Sequence, residues 1–486
     1  MNKTVIIESG KYLSDVIKQL PSHCLINKGI TGCGGTTLEL ESKRDSIILC
    51  PTRNLVTSKS SLGYFGVDGN ITKTEIKNYV MKEKGYKKIV ATYDALEKIM
   101  ETIINYKDYF LLIDEYHLLF NDYSFRSKPI RFILKHFMDF NNWTFMTATP
   151  LKEEFILKEL KNVDQITYEW KNSVPVRMTI KDTYFVQKEL INLIESASPN
   201  KNLHIFINSV STISKVVQKL DCDYRVVCSE NSKTKIKNFA KITDPIKKLN
   251  FYTSCAFEGC DICDENGICV IVCDTNISSS MLDIATKIRQ VCGRLRDSKY
   301  KDECYLILNT NKHRYAGTSR KEFDDIIKEG EDRGKLKEID IKNKNAYERE
   351  TEFKLYNPET YYNLYLNKDD DGIFFDENLK KLDIYNYNLI NEIYSSTISV
   401  LSELNNNNFV AKVETTENKK GLSFIREMLE DREYTYEELE NIFSPIFKEH
   451  KMKWNKKTSI KNYFPSFTKK KKMVNKIRDT YYKFIL

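Results

Sequence analysis

The 486-residue chain lacks any apolar run approaching the ~20 residues that a membrane-spanning helix needs. Its first residues, Met1 to Glu8, lack the hydrophobic segment of a secretory signal, so none is expected there. The twelve cysteines lack regular spacing, which favours reduced thiols in a cytosol over a disulfide framework. We therefore expect a soluble cytoplasmic protein with no membrane partner.

Acidic residues are scarce at one end of the chain. Residues 451–486 contain twelve lysines and arginines and one acid, Asp479, which gives this tail a net charge of +11. The rest of the chain, with 64 basic and 67 acidic residues, has a net charge of −3, so the total is +8. A basic tail on a nearly neutral body indicates a polyanionic partner, most often nucleic acid. A solubilising surface is the alternative.

Length and composition predict several folded domains. A chain of 486 residues exceeds what one hydrophobic core supports, so roughly two to four domains are expected. The hydrophobic content of 41% and charged content of 30% are those of a globular protein rather than a disordered one.

Residues 29–37, Gly-Ile-Thr-Gly-Cys-Gly-Gly-Thr-Thr, form a glycine-rich stretch between a predicted strand and a predicted helix start. Strand, glycine-rich loop and helix are the context that a phosphate-binding loop requires. Glycines let backbone N–H groups approach phosphate oxygens, and a helix N-terminus favours negative charge. Against the pattern G-x-x-x-x-G-K-[ST], the stretch matches at Gly29, Gly34 and Thr36.

The lysine of that pattern is missing, because Gly35 stands in its position. Such a lysine normally reaches the β- and γ-phosphates of a nucleotide. Lys28, immediately before the loop, is a candidate substitute, although the sequence does not show that it reaches the site. A flexible turn without a ligand is the alternative.

Residues 109–117, Tyr-Phe-Leu-Leu-Ile-Asp-Glu-Tyr-His, predict a strand that is buried on both faces and ends on two carboxylates. The carboxyl ends of parallel strands face the crevice where α/β sheets bind ligands. Burying Asp114 and Glu115 costs several kcal/mol unless a cation or hydrogen bonds compensate. The usual compensation is Mg²⁺ held by the Asp, with the Glu orienting or deprotonating a water. A solvated acidic pair is the alternative.

Other apolar runs alternate with helical stretches, which predicts parallel sheets wrapped by helices. The predicted strands are 23–28, 46–50, 88–92, 142–146, 204–209, 249–253 and 268–274, and the predicted helices are 130–140, 151–160, 212–220 and 282–291.

The ordered motifs of the first part resemble the first motor domain of a superfamily 2 helicase. Residues 29–37 resemble motif I, 51–53 motif Ia, 114–117 a DExH-type motif II, and 147–149 motif III. The resemblance implies ATP or another NTP as the substrate and Mg²⁺ as the cofactor, with Thr36 and Asp114 binding the metal and Glu115 acting on the attacking water. It further implies nucleotide contacts from residues in and beside the loop, namely Gly29, Gly32, Gly34, Gly35, Thr36, Thr37 and the candidate Lys28. Pro51, Thr52 and Arg53 would contact a nucleic-acid backbone. His117, Thr147 and Thr149 would couple the two domains.

The following part resembles the second motor domain. The strand 204–209 resembles motif IV, Glu258-Gly-Cys-Asp261 before an apolar strand resembles motif V, and Gln290-Val-Cys-Gly-Arg-Leu-Arg296 resembles motif VI. An arginine from a facing domain stabilises the charge on the γ-phosphate in phosphoryl transfer. The resemblance therefore implies catalytic roles for Gln290, Arg294 and Arg296, and interdomain coupling by Glu258, Gly259 and Asp261.

Two features of this part leave alternatives open. Arg296 lies one residue earlier than the usual last arginine of the motif, a spacing similar to that of viral replication-origin-binding helicases. A basic helix face packed on acids is the alternative for both arginines. Four cysteines, at 260, 263, 269 and 273, include a Cys-x-x-Cys that suits zinc, but a second such pair is missing, and ordinary core cysteines are favoured.

The last third of the sequence changes character. From about residue 310 the α/β alternation stops, and Thr435-Tyr-Glu-Glu438 predicts a capped helix extending to about residue 449. Aromatic residues interleaved with lysines in 451–486 suit a surface that neutralises phosphates and stacks bases. A small helical domain with a basic face suits the same pattern.

We therefore predict an α/β chain with two tandem RecA-like parallel-sheet domains, residues 1–160 and 161–310, and a mainly helical basic region, residues 311–486. The predicted function is an NTP-dependent helicase or translocase on DNA or RNA, with single strands favoured, in the cytoplasm of a bacterial cell or a phage-infected host. Gly35 favours the alternative of a nucleic-acid-binding protein with weakened turnover, which the intact Asp114, Glu115, Gln290 and Arg294 oppose. A replication-origin-binding initiator is a third reading.

Overall fold

Two parallel sheets, one after the other along the chain, form the body of the protein. The computed structural model describes residues 2–172, 174–415, 433–449, 467–474 and 477–484. The first sheet has eight strands and the second has seven, and helices pack on both. This confirms the predicted fold class of tandem RecA-like domains.

The first sheet is parallel throughout. Its strands are β1 (Asn2–Glu8), β2 (Cys24–Asn27), β3 (Ser46–Cys50), β4 (Phe65–Val67), β5 (Lys88–Thr92), β6 (Phe110–Asp114), β7 (Asn142–Thr147) and β8 (Asp164–Lys171). Their order is β1-β8-β2-β7-β6-β3-β5-β4. Every residue of β3, β5 and β6 is buried, as expected for apolar strands covered by helices on both faces. The covering helices are α1 (Gly35–Leu40), α2 (Arg53–Ser60), α3 (Lys73–Lys82), α4 (Leu96–Thr102), α5 (Leu118–Asn121) and α6 (Tyr123–His136).

The second sheet is also parallel. Its strands are β9 (Val176–Asp182), β10 (Asn202–Phe206), β11 (Tyr224–Val227), β12 (Leu249–Tyr252), β13 (Gly267–Cys273), β14 (Glu303–Leu308) and, from the last third of the chain, β17 (Phe409–Thr415). Their order is β11-β12-β10-β13-β14-β9-β17. The helices of this domain are α7 (Val186–Ser196), α8 (Val210–Val217) and α9 (Arg289–Cys292). A π-helical turn, Ile284–Ile288, leads directly into α9.

Several sequence expectations differ from the structure. The domain limit at residue 160 precedes β8, which pairs with β1 and β2 in the first sheet. Residues 151–160 are not a helix but two short 3-10 turns, Glu153–Phe155 and Lys158–Leu160, because Phe155, Leu157 and Leu160 all enter the first core from a partly extended chain. The predicted helix 282–291 is instead the π-helical turn followed by α9.

The accessory region after β14 is mainly helical and packs on both sheets. Its helices are α10 (Arg320–Asn343), α11 (Ala346–Leu355), α12 (Pro358–Tyr361), α13 (Glu377–Tyr387) and α14 (Thr397–Asn406), with a small hairpin of β15 (Leu366–Asp369) and β16 (Gly372–Phe375). Leu379 and Leu382 of α13 join the core of the first domain. Val400 and Leu404 of α14 join the core of the second. The accessory region therefore holds the two domains together, and its last strand, β17, completes the second sheet.

The described part of the tail departs from the helical expectation. A helix, α15 (Tyr436–Glu449), begins as predicted, because Thr435 and Glu438 form the reciprocal capping hydrogen bonds. One strand before this helix, β18 (Glu433–Thr435), and two strands after it, β19 (Phe467–Val474) and β20 (Ile477–Phe484), form a three-stranded antiparallel sheet. The order of its strands is β18-β20-β19. Residues 451–466, which hold part of the predicted basic surface, lie outside the described residues. Across the described ranges, no helix combines the length and apolar character needed to cross a membrane.

Candidate functional site

The glycine loop (residues 29–37) connects β2 to α1 at the carboxyl edge of the first sheet. Gly29, Gly32 and Gly34 have left-handed backbone conformations, with φ of 74°, 74° and 83°. A Cβ atom at Gly32 would also collide with the guanidinium group of Arg296. A side chain at residue 32 is therefore excluded twice, by its backbone conformation and by its neighbour.

The acidic pair (Asp114 and Glu115) lies at the end of β6 and faces the glycine loop. The Thr36 hydroxyl donates a hydrogen bond to Asp114 Oδ2 over 2.6 Å. The Tyr93 hydroxyl donates to the Asp114 carbonyl, also over 2.6 Å. Glu115 has φ = 53°, a left-handed conformation that is uncommon outside glycine. Backbone strain of this kind costs about 1–3 kcal/mol and is concentrated at functional sites.

Lys28 compensates the charge of the acidic pair. Its Nζ lies 3.0 Å from Glu115 Oε1 and 3.3 Å from Asp114 Oδ1, and the residue is 6% exposed. Burial alone would lower the pKa of Lys28, but the two carboxylates outweigh it, so the pKa lies above its usual value. The ammonium group is therefore charged, and it does reach the site.

Gln290 connects the second domain to the acidic pair. From α9, its Nε2 donates to Glu115 Oε2 over 2.8 Å and to Thr149 Oγ1 over 3.2 Å. The Thr147 hydroxyl donates to the same Glu115 oxygen over 3.0 Å. Both carboxylate oxygens of Glu115 thus have partners: Lys28 on one, and Gln290 with Thr147 on the other.

His117 supports Thr147 within the first domain. Its Nδ1 lies 2.8 Å from Thr147 Oγ1, and because that hydroxyl donates to Glu115, the ring nitrogen is the donor. Burial lowers the pKa of His117 to about 3, so the ring is neutral. Its Nε2 is buried without a hydrogen-bond partner among the described residues. Of the three first-domain residues expected to couple the domains, Thr149 makes the direct hydrogen bond to Gln290.

The two arginines that follow α9 face the cleft differently. Arg294 is 3% exposed and donates through Nε to the Gln290 carbonyl and through Nη2 to Gln290 Oε1, over 2.8 and 3.0 Å. These bonds orient the Gln290 amide so that its NH₂ group points at the acidic pair. Arg296 donates through Nε to Asp261 Oδ1 over 2.6 Å, and its guanidinium lies over Gly32.

Sequence reasoning missed some contacts across the interface. Arg289 donates through Nη2 to the Gly29 carbonyl over 2.8 Å, which joins α9 to the glycine loop. Thr31 of the loop occupies the space where a Cβ of Gly293 would lie. The sequence does not reveal the contact of Arg289, because most arginines on helices are exposed and make no such contact. Glycines such as Gly29 and Gly293 did indicate that two parts of the backbone approach closely.

Several of these groups, from both domains, line one cavity of about 510 Å³. Its lining includes Tyr12, Lys28, Gly32 to Thr37, Asp114, Glu115, Gly259, Asp261, Arg294 and Arg296. The lining therefore combines the Thr36 hydroxyl and the two carboxylates of the acidic pair with the cations of Lys28, Arg294 and Arg296. Such a cavity suits a polyanion together with a hard divalent cation.

The expected nucleic-acid contacts, Pro51 to Arg53, are only partly available. Pro51 is buried, and its carbonyl accepts a hydrogen bond from Arg126 over 2.7 Å. The Thr52 hydroxyl caps α2 by accepting from the Leu55 N–H. The Arg53 side chain, 60% exposed, is the group of this set that faces solvent.

Glu258 and Gly259 lie where the second domain meets α2. Gly259 has φ = 71° and packs against Leu55 of that helix. Glu258 is 4% exposed, and burial raises its pKa to about 7, with Lys287 acting in the opposite direction.

The four cysteines considered for zinc are not brought together. Cys260 is buried and Cys263 is exposed. Within the described residues, the cysteines that the structure does bring together are Cys269, Cys292 and Cys304, buried thiols whose sulfur atoms lie within 4.8 Å of one another.

Comparisons with known proteins concern the fold. No protein-family model and no curated protein matches the chain. Similar solved structures include the helicase Lhr of Mycobacterium smegmatis bound to ssDNA and AMP-PNP, with 10% identity and a TM-score of 0.40. The match covers 75% of this chain and 57% of the Lhr chain, so this chain spans less than two thirds of the length of Lhr. A Dbp5 variant of S. cerevisiae bound to a Gle1 variant and IP6 has 12% identity, a TM-score of 0.40, and coverage of 62% and 80%. The yeast DEAD-box splicing factor Prp28 has 17% identity, a TM-score of 0.23, and coverage of 64% and 77%. At these values the likeness is one of fold alone.

Proposed function

We propose that the chain is a nucleic-acid-dependent NTPase that hydrolyses ATP or another NTP between its two RecA-like domains and uses the accompanying domain movement as a helicase or translocase. The observation that carries this proposal is the hydrogen bond of 2.8 Å from Gln290, in the second domain, to Glu115, a first-domain residue that lines the cavity of about 510 Å³. A site assembled from both domains changes when the domains move, so chemistry there and motion of the domains are coupled.

The donor set at one end of the cavity fits Mg²⁺. The Thr36 hydroxyl and the Asp114 carboxylate lie 2.6 Å apart, and both are the hard oxygen ligands that this ion prefers. When bound, Mg²⁺ would neutralise charge on the phosphates of the nucleotide. Thr36 and Asp114 would hold it, and the backbone N–H groups of the glycine loop would bind phosphate oxygens.

The remaining residues have distinct roles in this proposal. Glu115 orients a water and accepts its proton, in a position fixed by Thr147 and Gln290. Arg296, whose guanidinium lies over the glycine loop, stabilises charge on the transferred phosphoryl group. Arg294 is a positioning residue, because its hydrogen bonds fix the Gln290 amide.

The proposed partner is DNA or RNA, with single strands favoured. The exposed Arg53 begins α2, the helix that contacts Gly259 of the second domain, and the sequence of 451–486 carries a net charge of +11. Both features suit a phosphate backbone. A role in replication, including origin binding, rests on the spacing of Arg294 and Arg296 and belongs to the same proposal.

A second candidate is a nucleotide-binding protein that turns over slowly. Two observations favour it: Gly35 removes the usual loop lysine, and both oxygens of Glu115 already accept hydrogen bonds or ion pairs. A water can use Glu115 as a base only after one of these partners withdraws.

The variant Glu115→Gln separates the two candidates. An amide cannot accept the proton, so turnover should fall by about 10²- to 10⁴-fold while nucleotide binding persists. Glu169→Gln, on the exposed surface of β8, is the matched control and should leave both unchanged. Slow turnover that is equal in wild type and Glu115→Gln, with nucleotide bound by both, would favour the second candidate.

A further inference from the structure

The structure places an ammonium group where the glycine loop lacks one, although on a different residue. Gly35, at the predicted lysine position, begins α1 and is not among the residues with positive φ. A Cβ atom built there would lie 3.7 Å from Lys28 Cδ and 2.7 Å from Met146 Sδ. A side chain from residue 35 would therefore begin in van der Waals contact with the Lys28 stem, and its obstacle would be Met146.

The backbone of Lys28 is fixed while its side chain has alternative partners. Its N–H donates to the Thr147 carbonyl, and its carbonyl accepts from Trp170 Nε1, both over 2.8 Å. The ammonium group has three donors on a flexible stem, and two of them are directed at the carboxylates of the acidic pair. Rotation of the stem can redirect them within the cavity without any movement of β2.

The net charge of Lys28, Asp114 and Glu115 indicates a second role for Lys28 besides pairing with the carboxylates. Lys28 with the acidic pair sums to −1, and a divalent cation would bring the sum to +1, which favours a polyphosphate. Without Lys28 the same sum is zero. Arg294 is bonded to Gln290, and Arg296 lies over Gly32 with Asp261 as its ion-pair partner, whereas Lys28 is paired with both carboxylates of the acidic pair.

We propose that Lys28 is the phosphate-binding lysine of this site, supplied from the end of β2 in place of position 35, and that its ammonium competes with divalent cations for Asp114 and Glu115. This inference rests on the proposed NTP site. It gives Lys28 two alternative sets of partners, carboxylates or phosphates, so nucleotide binding would release the acidic pair for the metal and the water.

Three variants test the proposal. Lys28→Met removes the ammonium group. Lys88→Met is the matched control, because Lys88 is also 6% exposed and bonds to Ser42 and Ser46 in the first domain, away from the cavity. Lys28→Met/Gly35→Lys moves the charge to the other backbone position, where the obstructing Met146 atoms are the flexible tip of a side chain.

Two binding measurements give the result. The Kd of a non-hydrolysable ATP analogue with Mg²⁺ should rise at least about tenfold in Lys28→Met, the loss of one charged hydrogen bond, and should be unchanged in Lys88→Met. Binding of Mn²⁺ alone, followed by electron paramagnetic resonance, should become tighter in Lys28→Met than in wild type. The double variant should recover affinity for the analogue.

The outcomes are distinguishable from failure of the proposed function. Wild-type protein that binds no nucleotide overturns the NTP site and this inference with it. Wild-type binding that Lys28→Met leaves unchanged, or Mn²⁺ binding that does not respond, overturns the role of Lys28 alone. If Lys28→Met does not fold, the double variant Lys28→Met/Gly35→Lys gives the answer. Binding of the analogue within about tenfold of wild type would support a phosphate-binding ammonium that either residue 28 or residue 35 can supply. Absence of binding by the folded double variant would overturn the proposal.

Discussion

Glu258 makes the stability of the protein depend on pH in a way that one substitution removes. The residue is 4% exposed, and its pKa rises from an ordinary value of 4.5 to about 7. Burial is the main cause; Asp122 and Glu115 raise the pKa further, while Lys287 and Arg294 lower it. The carboxyl group is therefore protonated in the folded protein at pH values where the unfolded chain has already released its proton.

The sign and size of the effect follow from this difference. Between pH 4.5 and about 7 the folded state binds one proton more than the unfolded state, so the free energy of unfolding falls as pH rises. Each pKa unit corresponds to about 1.4 kcal/mol, which gives a loss of roughly 3 kcal/mol across this window. His117 acts oppositely, because its pKa of about 3 makes stability fall as pH drops below 6.5.

Comparison of wild type with Glu258→Gln isolates the contribution of Glu258. The two proteins should have equal stability near pH 4.5, and the variant should be more stable at pH 8 by up to about 3 kcal/mol, or roughly 6 to 12 °C in Tm for a domain of this size. Thermal unfolding across pH 4.5 to 8 measures the difference. Parallel Tm curves for the two proteins would refute the buried, protonated Glu258.

Two further predictions concern the arginines and the tail. Arg296→Ala should lower turnover by about 10³-fold with little change in Tm, because its ion pair with Asp261 is partly exposed. Arg294→Ala should lower both turnover and Tm, because it leaves Gln290 unsupported in a buried site. Thermal unfolding and a steady-state assay measure the two effects, and equal losses of Tm in the two variants would contradict these roles. Deletion of residues 451–486 should weaken nucleic-acid binding and flatten its salt dependence by about 0.9 in the log–log slope per lost duplex phosphate contact; a slope that stays the same would assign the tail another role.

The parts of the fold that were predictable are those with uninterrupted apolar runs. β3 and β5 have the predicted limits, because every residue in them is apolar or pairs inside the sheet, and loops flank them. Residues 151–160 were predicted wrongly, because a spacing of apolar residues that suits a helix also suits a chain pressed onto a core through Phe155, Leu157 and Leu160. β17 could not be predicted, since its partner, β9, lies more than two hundred residues earlier.

The candidate site, like the fold, could be predicted from the sequence only in part. Contiguous motifs predicted the glycine loop and the acidic pair, because local backbone conformation and strand ends are encoded locally. The position of the Lys28 ammonium was not predictable, since its carboxylate partners lie 86 and 87 residues further along the chain. At Gly35 the obstacle to a side chain is the neighbouring Met146, not a positive φ.

The most direct test of the account is the rate of NTP hydrolysis by the purified wild-type chain with Mg²⁺, measured with and without single-stranded DNA or RNA. Gln290 of the second domain donates a hydrogen bond to Glu115, a cavity residue of the first, so a polynucleotide that draws the domains together should raise the rate. The account predicts measurable hydrolysis that at least one polynucleotide stimulates several-fold and that EDTA abolishes. Absence of both nucleotide binding and hydrolysis under all these conditions would contradict it.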